Sequence, residues 1–166
     1  MAEYKNINHL RVVDVPIHQI RKIEIVQLRG KTMGEWYNAQ ADKPKYMLNG
    51  SLWDSEGAIG TIWQDGKLVR NEGNGFGISK VGSFGFGDPW AVGWQDYITG
   101  YPGLVINGAA TALEVDSYVQ HARTKRAAIA CAGQHIYLVT GEGLSLDGFR
   151  EELAVFGAYH AINLDG

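Results

Sequence analysis

The clearest periodic pattern of apolar and polar positions lies near the C-terminal end of the chain. Four large apolar residues recur there at spacings of three, four and three residues, which places them on one face of a helix: Leu146, Phe149, Leu153 and Phe156. Ser145 and Asp147 are alternative N-cap residues, and Gly157 follows the last apolar position. The pattern predicts one amphipathic helix that buries this face.

Short apolar runs between turn residues predict strands along much of the remaining chain. In the second half they cover residues 103–107, 127–132, 136–140 and 161–164. In the first half, Ile20, Ile23 and Ile25 predict a strand near 19–28, because β-branched residues favour extended backbone. Residues 59–63 and 67–69 flank the pair Asp65-Gly66, which predicts a hairpin because Gly accepts the positive φ of a type I′ turn.

Two segments leave alternatives open. Residues 34–42 are compatible with one short helix or with an irregular loop before Pro44. Residues 73–87 carry six glycines among aromatic and small residues and are interpreted as a loop or a kinked strand. Taken together, the elements predict an α+β fold: a single domain of residues 1–166 with many short strands in a mixed sheet and one or two helices.

Composition places the chain among soluble globular proteins. A hydrophobic share of 45% and a charged share of 20% provide a core and exclude a disordered chain. The formal net charge of -3 argues against duplex nucleic acid or a membrane surface as a partner. No apolar run is long enough to span a bilayer and no leader is recognisable, so we expect a cytoplasmic protein.

Few residues offer a familiar catalytic or metal-binding pattern. The five histidines are scattered, so no metal site is predicted, and no cofactor is indicated. Cys131 is the single cysteine and is interpreted as a small buried hydrophobe in a reducing compartment. Ser83 in VGSFG lacks the strand-turn-helix setting of a nucleophile elbow, and the glycines of 73–87 lack the Gly-Lys-Ser/Thr ending of a phosphate loop.

Polar residues before a glycine follow three of the apolar runs. The pairs are Asn49-Gly50, Asn107-Gly108 and Asp165-Gly166. A strand end followed by glycine lets a side chain and the backbone approach a ligand together. The alternative is ordinary turn chemistry, which Asn-Gly and Asp-Gly also favour.

The order of these pairs, with Arg-Ala-Ala-Ile-Ala at 126–130 and Ala-Ile-Asn-Leu-Asp-Gly at 161–166, resembles the phosphodiester glycosidase family. The family's marks are Asn-Gly-Gly-Phe-Phe-like, Leu-x-x-(Asp/Asn)-Gly, Arg-Thr-Ala-Ile-Gly and Asn-Leu-Asp-Gly-Gly-Gly-Ser-Ser segments. The resemblance covers roughly residues 46–166, and the chain is similar to the short stand-alone forms that phages carry. The chain departs at 51–53, where Ser-Leu-Trp replaces glycine and aromatic residues, and at Ala127 and Ala130.

The resemblance implies a hydrolase that cleaves a sugar-1-phosphodiester at the anomeric carbon. Asp165 is then the first candidate for the catalytic carboxylate, with Glu114 or Asp54 as the second. The implied substrate-binding residues are Asn49, Gly50, Asn107, Gly108, Arg126 and Gly166, with the amides on sugar hydroxyls and the guanidinium on phosphate.

The alternative function is a non-catalytic module of the same fold that sequesters a nucleotide or cyclic nucleotide signal. In that case the basic segment 121–126 attracts the anion, and Trp53, Trp63, Trp90 or Trp94 stacks on a base. Either function takes a small sugar-phosphate or nucleotide as partner, and homo-oligomer formation stays open.

Overall fold

The computed structural model describes residues 2–28, 30–54, 57–58, 60, 62–64, 66–70, 75–79, 84–87 and 94–166. Its α-helices are Met33–Ala39 (α1), Ser117–His121 (α2) and Leu146–Phe156 (α3). Its strands are Glu3–Ile7 (β1), Leu10–Pro16 (β2), Trp53–Asp54 (β3), Gly57–Ala58 (β4), Ile62–Gln64 (β5), Lys67–Arg70 (β6), Gly75–Ser79 (β7), Phe84–Gly87 (β8), Trp94–Thr99 (β9), Gly103–Ile106 (β10), Ala109–Ala110 (β11), Thr124–Ala132 (β12), His135–Leu144 (β13) and His160–Leu164 (β14).

Most of the described strands belong to two sheets. The large sheet has the order β1-β2-β13-β12-β14-β10-β11, and the small sheet has the order β6-β5-β9-β7-β8, while β3 pairs with β4. Neighbours in both sheets are antiparallel, and Ala128 of β12 lies opposite Val139 of β13 and Asn163 of β14. Because β12 and β14 lie at the centre of the large sheet, the end of β14 is flanked by other strands.

Helix α3 covers one face of the large sheet. Its residues Leu146, Phe149 and Leu153 have no exposed surface and pack in one cluster with side chains of β2, β12 and β13. Oγ of Ser145 accepts a hydrogen bond from the amide of Gly148 at 3.0 Å and begins the helix. This face of the sheet is therefore closed by the predicted helix.

The opposite face of the large sheet packs against the small sheet and the segment 17–48. Ala127 and Ile129 of β12 share a cluster there with Phe76 of β7. Partly buried Leu48 and Ile98 pack against the same cluster. Since β12 and β14 are buried on both faces, their sequences form continuous apolar runs instead of alternating ones.

The α+β class is confirmed, as are the helix at 146–156 and the strands of the second half. The sequence predicts one mixed sheet, whereas the described strand pairs are antiparallel throughout and fall into more than one sheet. Tight turns such as Gly133-Gln134 between β12 and β13 allow only antiparallel neighbours. The short helix α2 adds a third helix because Asp116 caps it, although it buries no side chain.

The predicted strand near 19–28 is wrong. Residues 17–19 form a 3-10 helix, and residues 20–28 pair with no described strand. Ile20 and Ile23 instead pack their side chains against the cluster below the large sheet. Their β-branched character reflects this packing, while the N-terminal strands β1 and β2 were not indicated by any clear period.

The open alternatives at 34–42 and 73–87 have definite outcomes. Helix α1 begins at a capping box, in which the amide of Thr32 donates to Glu35 at 2.7 Å and the amide of Glu35 donates to Thr32 at 3.2 Å. The glycine-rich stretch contains β7 and β8, and a Cβ atom on Gly77 would lie 2.4 Å from the ring of Trp94. The hairpin between β5 and β6 is confirmed, although Asp65 lies outside the described residues.

A buried carboxylate ties the edge of the large sheet together. Asp14 of β2 is 7% exposed, and its two oxygens contact Nζ of Lys5 at 2.6 Å and Nδ1 of His135 at 2.5 Å. Burial raises the pKa of the Asp14 carboxyl, but the hydrogen bonds from Lys5 and His135 outweigh it, so the pKa lies below its usual value. The ionised form of Asp14 therefore stabilises the fold.

We expect the free energy of unfolding to fall in acid through Asp14. Its pKa is lower in the folded than in the unfolded chain, so its contribution is complete above about pH 4 and is lost as the pH falls through the folded pKa. Urea denaturation of wild type and Asp14→Asn between about pH 6 and pH 2 should give a difference that shrinks in acid. A difference independent of pH would contradict this role, and Asp42→Asn at an exposed position is the control.

Candidate functional site

The residues after β14 lie against two other segments that the sequence singled out. The amide of Asp165 donates to the carbonyl oxygen of Gly50 at 2.8 Å. A Cβ atom on Gly166 would lie 2.3 Å from the carbonyl oxygen of Lys125, so this close approach to β12 requires glycine. The pairs Asn49-Gly50 and Asp165-Gly166 are therefore adjacent at the start of β12.

A cavity of about 270 Å³ opens at this junction, and we call it the strand-end cavity. Asn49 and Gly166 line it together with charged residues of three strands: Arg11, Lys125, Arg126 and Glu142. The carboxylate of Glu142 lies 3.6 Å from Nη2 of Arg11. Within the described residues no carboxylate lies within ion-pair distance of Lys125 or Arg126. The strand-end cavity thus has a positive excess that favours an anion.

Arg126 has a structural contact that the sequence did not reveal. Its Nη2 atom donates to the carbonyl oxygens of Val119 at 3.1 Å and Ala122 at 2.8 Å, at the C-terminal end of α2. Burial lowers the pKa of the guanidinium, which nevertheless remains charged because arginine titrates far above neutrality. Arg126 therefore holds the last carbonyls of α2 with a side chain that lies on the α3 face of β12, like Ala128. The strand-end cavity, which the residue borders, lies on the opposite face with Ala127, so the structure turns this predicted phosphate ligand away from it.

We expect Arg126→Ala to destabilise the protein. The variant leaves two helix-end carbonyls without their charged donor, which costs about 1.5–3 kcal/mol in the free energy of unfolding. Chemical denaturation measures the loss, and Arg123→Ala is the matched control because Arg123 is exposed and makes one contact at 3.5 Å. Equal stability of Arg126→Ala and wild type would show that the guanidinium is dispensable for α2.

A buried amide beside Asp165 was not among the predicted site residues. Asn163 is 6% exposed, and its Nδ2 donates to the carbonyl oxygen of Tyr101 at 2.9 Å, whereas its Oδ1 has no partner in the described part of the chain. Nε of Arg126 is also buried and lacks a described partner. Because Asn163 lies opposite Ala128, two residues after Arg126, both side chains project from one face of adjacent strands.

Buried polar atoms in proteins are nearly always hydrogen-bonded. The pair of Asn163 Oδ1 and Arg126 Nε therefore offers one acceptor and one donor to a bound molecule or water at the end of β14. The signal that would have found Asn163 is its position inside a buried strand, where an amide among apolar residues is unusual.

Asp165 is half-buried beside this pair. Its side chain has no ion pair among the described residues, and it does not line the strand-end cavity itself, although the next residue, Gly166, does. Asp165 is thus one residue along the chain from the cavity lining. Its chain position is fixed by the bond from its amide to Gly50.

The pair Asn107-Gly108 lies at the other end of the large sheet. Gly108 donates to the carbonyl oxygen of Tyr159, which precedes β14, whereas Asp165 follows β14. Asn107 has a φ of 53° and Gly108 a φ of 77°, as a type I′ turn between β10 and β11 requires. The structure does not bring this pair to the strand-end cavity, and turn chemistry explains its sequence.

The remaining candidates lie away from the cavity or outside the described side chains. Glu114 is exposed, and its carbonyl oxygen accepts a hydrogen bond from the hydroxyl of Tyr101 at 2.6 Å. The backbones of Trp53 and Asp54 form β3, but their side chains are not among those that the structure describes. Trp90 lies outside the described residues. Trp94 is 5% exposed and packs in the small sheet, so it is not available for stacking on a base.

Two findings concern metals and membranes. Among the described residues, no three His, Cys, Asp or Glu side chains are grouped as metal ligands would be. In the same part of the chain, no helix has the length and apolar character needed to span a membrane.

Burial raises the pKa of the half-buried Cys131 thiol, which disfavours its reactive thiolate form.

The chain has an α+β fold with a cavity bordered by more cationic than anionic residues. A family model described as phosphodiester glycosidase matches residues 42–166, so the chain belongs to the phosphodiester glycosidase family. Its motif pairs at 49–50 and 165–166 both lie inside the matched region and meet at the cavity.

Solved structures share the fold. One is the catalytic domain of zebrafish N-acetylglucosamine-1-phosphodiester alpha-N-acetylglucosaminidase, auto-inhibited by its pro-peptide, with 24% identity, a TM-score of 0.58 and coverage of 71% of this chain and 49% of that one. Another is a hypothetical protein from Synechocystis, with 13% identity, a TM-score of 0.69 and coverage of 99% and 55%. The chain thus spans about half the length of both structures. No curated protein matches the sequence.

Proposed function

We propose that this protein hydrolyses a sugar-1-phosphodiester at the anomeric carbon and releases a sugar and a phosphomonoester. The observation that carries the proposal is the meeting of Asn49-Gly50, Lys125-Arg126 and Asp165-Gly166 around one positively charged cavity. A phosphodiester is the anionic part of such a substrate, and it fits the excess of cations over carboxylates there.

In this reaction Lys125 holds the phosphate, and the amide of Asn49 holds sugar hydroxyls. Water adds to the anomeric carbon while the bond from that carbon to the phosphate oxygen breaks. The carboxylate of Asp165 takes the proton of the water or, in a two-step course, attacks the anomeric carbon itself. The departing phosphate is a weak base, so it needs little help from a general acid.

The zebrafish structure supplies the first sugar to test. The name of that protein gives an N-acetylglucosamine-1-phosphodiester as its substrate. We extend this to the present chain as a proposal, since the family is shared and Asn49 offers an amide for the hydroxyls of a hexose. The simplest test molecule is the methyl phosphodiester of N-acetylglucosamine 1-phosphate, which we call the methyl probe.

A second candidate function is a binding module that sequesters a nucleotide or cyclic nucleotide. This function is favoured by the placement of the two nearest carboxylates, since neither projects freely into the cavity. Glu142 lines the cavity but is paired with Arg11, and Asp165 does not line the cavity. A cavity whose one lining carboxylate, among the described residues, is paired with Arg11 binds an anion without cleaving it.

Mass spectrometry of mixtures with the methyl probe and with nucleotide and cyclic nucleotide signals distinguishes the two functions. Free N-acetylglucosamine and methyl phosphate as products support hydrolysis. A ligand that leaves the free pool and returns unchanged after heat denaturation supports the binding module. If no compound is cleaved or retained, both functions are wrong.

A further inference from the structure

A second cavity continues from the strand-end cavity along the large sheet. It measures about 290 Å³ and shares Arg11, Met47, Leu48 and Thr140 with the first. Its far wall is formed by Tyr4 of β1 with Lys45 and Tyr46 of the segment before Asn49. The two cavities therefore form one groove, which we call the sheet groove.

The register of the strands gives the direction and length of the sheet groove. Ala127, Thr140 and Arg11 lie opposite one another on β12, β13 and β2. Leu138, Val13 and Tyr4 form the next row, which reaches β1. Three strand spacings separate β12 from β1, so the sheet groove extends for about 14 Å across the sheet.

The chemistry of the far end differs from that of the near end. Tyr4 is 62% exposed, and the ammonium of Lys45 lies 5.4 Å from the ring centre of Tyr46. No carboxylate among the described residues lies within ion-pair distance of Lys45. Lys45 and the two phenol rings therefore offer a second positive charge and faces on which a planar ring can stack.

Cationic residues are spread along the sheet groove from one end to the other, which favours a substrate with negative charges along its length. Lys125 lies at the near end, Arg11 is shared by both cavities, and Lys45 lies at the far end. Among the described lining residues the one carboxylate is that of Glu142, which lies at the near end, 3.6 Å from Nη2 of Arg11. A short neutral group on the phosphate would leave Lys45 and the Tyr4 ring without a partner.

We infer that the sheet groove binds the leaving group of the substrate, and that this group is a nucleoside diphosphate, so that the substrate class is a nucleoside diphosphate sugar. The inference rests on the proposed function for its orientation, with the sugar at Asn49 and Asp165. The two phosphates lie along Lys125 and Arg11, and the base lies between Lys45 and the rings of Tyr4 and Tyr46. Cleavage transfers water to the anomeric carbon and releases the nucleoside diphosphate.

The test compares the methyl probe with the same sugar on uridine diphosphate, which we call the nucleotide probe. Affinity is read as Kd by calorimetry, or as KM where a probe is turned over, and products are followed by mass spectrometry. Wild type should prefer the nucleotide probe by roughly tenfold or more, because stacking and charge each contribute on that scale. Tyr4→Leu and Lys45→Ala should each reduce this preference several-fold.

Matched controls lie outside the sheet groove. Tyr118 is 80% exposed on α2, and the ammonium of Lys43 lies 4.6 Å from the ring centre of Tyr37 on α1, much as Lys45 faces Tyr46. Tyr118→Leu and Lys43→Ala should keep the wild-type preference. Circular dichroism of all four variants establishes that they are folded.

The outcomes separate the inference from the proposed function. Cleavage of both probes with equal affinity, unchanged in Tyr4→Leu and Lys45→Ala, overturns the inference and leaves the hydrolase in place. Tight binding of the nucleotide probe without cleavage, weakened by both variants, supports the groove and overturns hydrolysis. If neither probe binds, both are overturned.

Discussion

Asp165→Asn should reduce turnover of the methyl probe by about a hundredfold to ten thousandfold, the usual contribution of a positioned carboxylate to proton transfer. The substitution removes the charge and keeps the shape of the side chain. It also keeps the amide of residue 165, whose bond to Gly50 fixes the two motif pairs together. The variant should therefore unfold at the same temperature as wild type, and kcat/KM with thermal denaturation measures both effects.

Two substitutions accompany this experiment. Asp42→Asn changes an exposed aspartate outside the cavity lining and should leave kcat/KM unaltered. Glu114→Gln tests the second carboxylate suggested by the sequence, and we expect little effect because Glu114 is exposed and contacts Tyr101 through its backbone. Full turnover in Asp165→Asn with loss of turnover in Glu114→Gln would assign catalysis to Glu114 instead.

Phe149→Ala should lower the free energy of unfolding by about 3–5 kcal/mol, as removal of a buried aromatic ring does. Phe149 has no exposed surface and lies at the centre of the contact between α3 and the large sheet. A Cβ atom on Gly141 of β13 would lie 3.0 Å from the ring of Phe149, so the ring packs closely against the backbone of the sheet at this glycine. This loss is a large part of the free energy of unfolding of a typical domain, which is about 5–15 kcal/mol.

The control for this prediction is on the same helix. Val155 of α3 is 81% exposed, and Val155→Ala should change the free energy of unfolding by less than about 0.5 kcal/mol. Urea denaturation of both variants at neutral pH gives the comparison. A loss below about 1 kcal/mol in Phe149→Ala would mean that α3 is held to the sheet by other contacts.

The candidate site could be predicted only in part from the sequence. The pairs at 49–50 and 165–166 were recognised by their polar residue before glycine, and the structure brings them together through the bond from Asp165 to Gly50. The pair at 107–108 has the same pattern but lies at the opposite end of the sheet. An Asn-Gly or Asp-Gly dipeptide predicts a local turn. It does not predict at which end of a sheet that turn lies, because this depends on the direction of the preceding strand.

Arg126 and Asn163 show the same limit for single side chains. The sequence indicates a cation near a strand start, but not that its Nη2 reaches the end of α2, a helix of five residues with no apolar period. Asn163 belongs to the Asn-Leu-Asp-Gly segment that carries the family resemblance, but only the structure revealed that it is buried and that its Oδ1 lacks a described partner. Both properties depend on neighbours that are distant in the chain.

The sequence by itself determined the local elements whose side chains follow a regular period and whose ends carry caps. Helix α3 is the best case, since its apolar spacing, the Ser145 cap and Gly157 at a φ of 96° all act within a few residues. The tertiary structure alone decided which elements pair. Ile20 and Ile23 pack against the cluster on the sheet face and pair with no described strand. The sheet groove arose because β2 and β13 lie between β1 and β12 in one sheet.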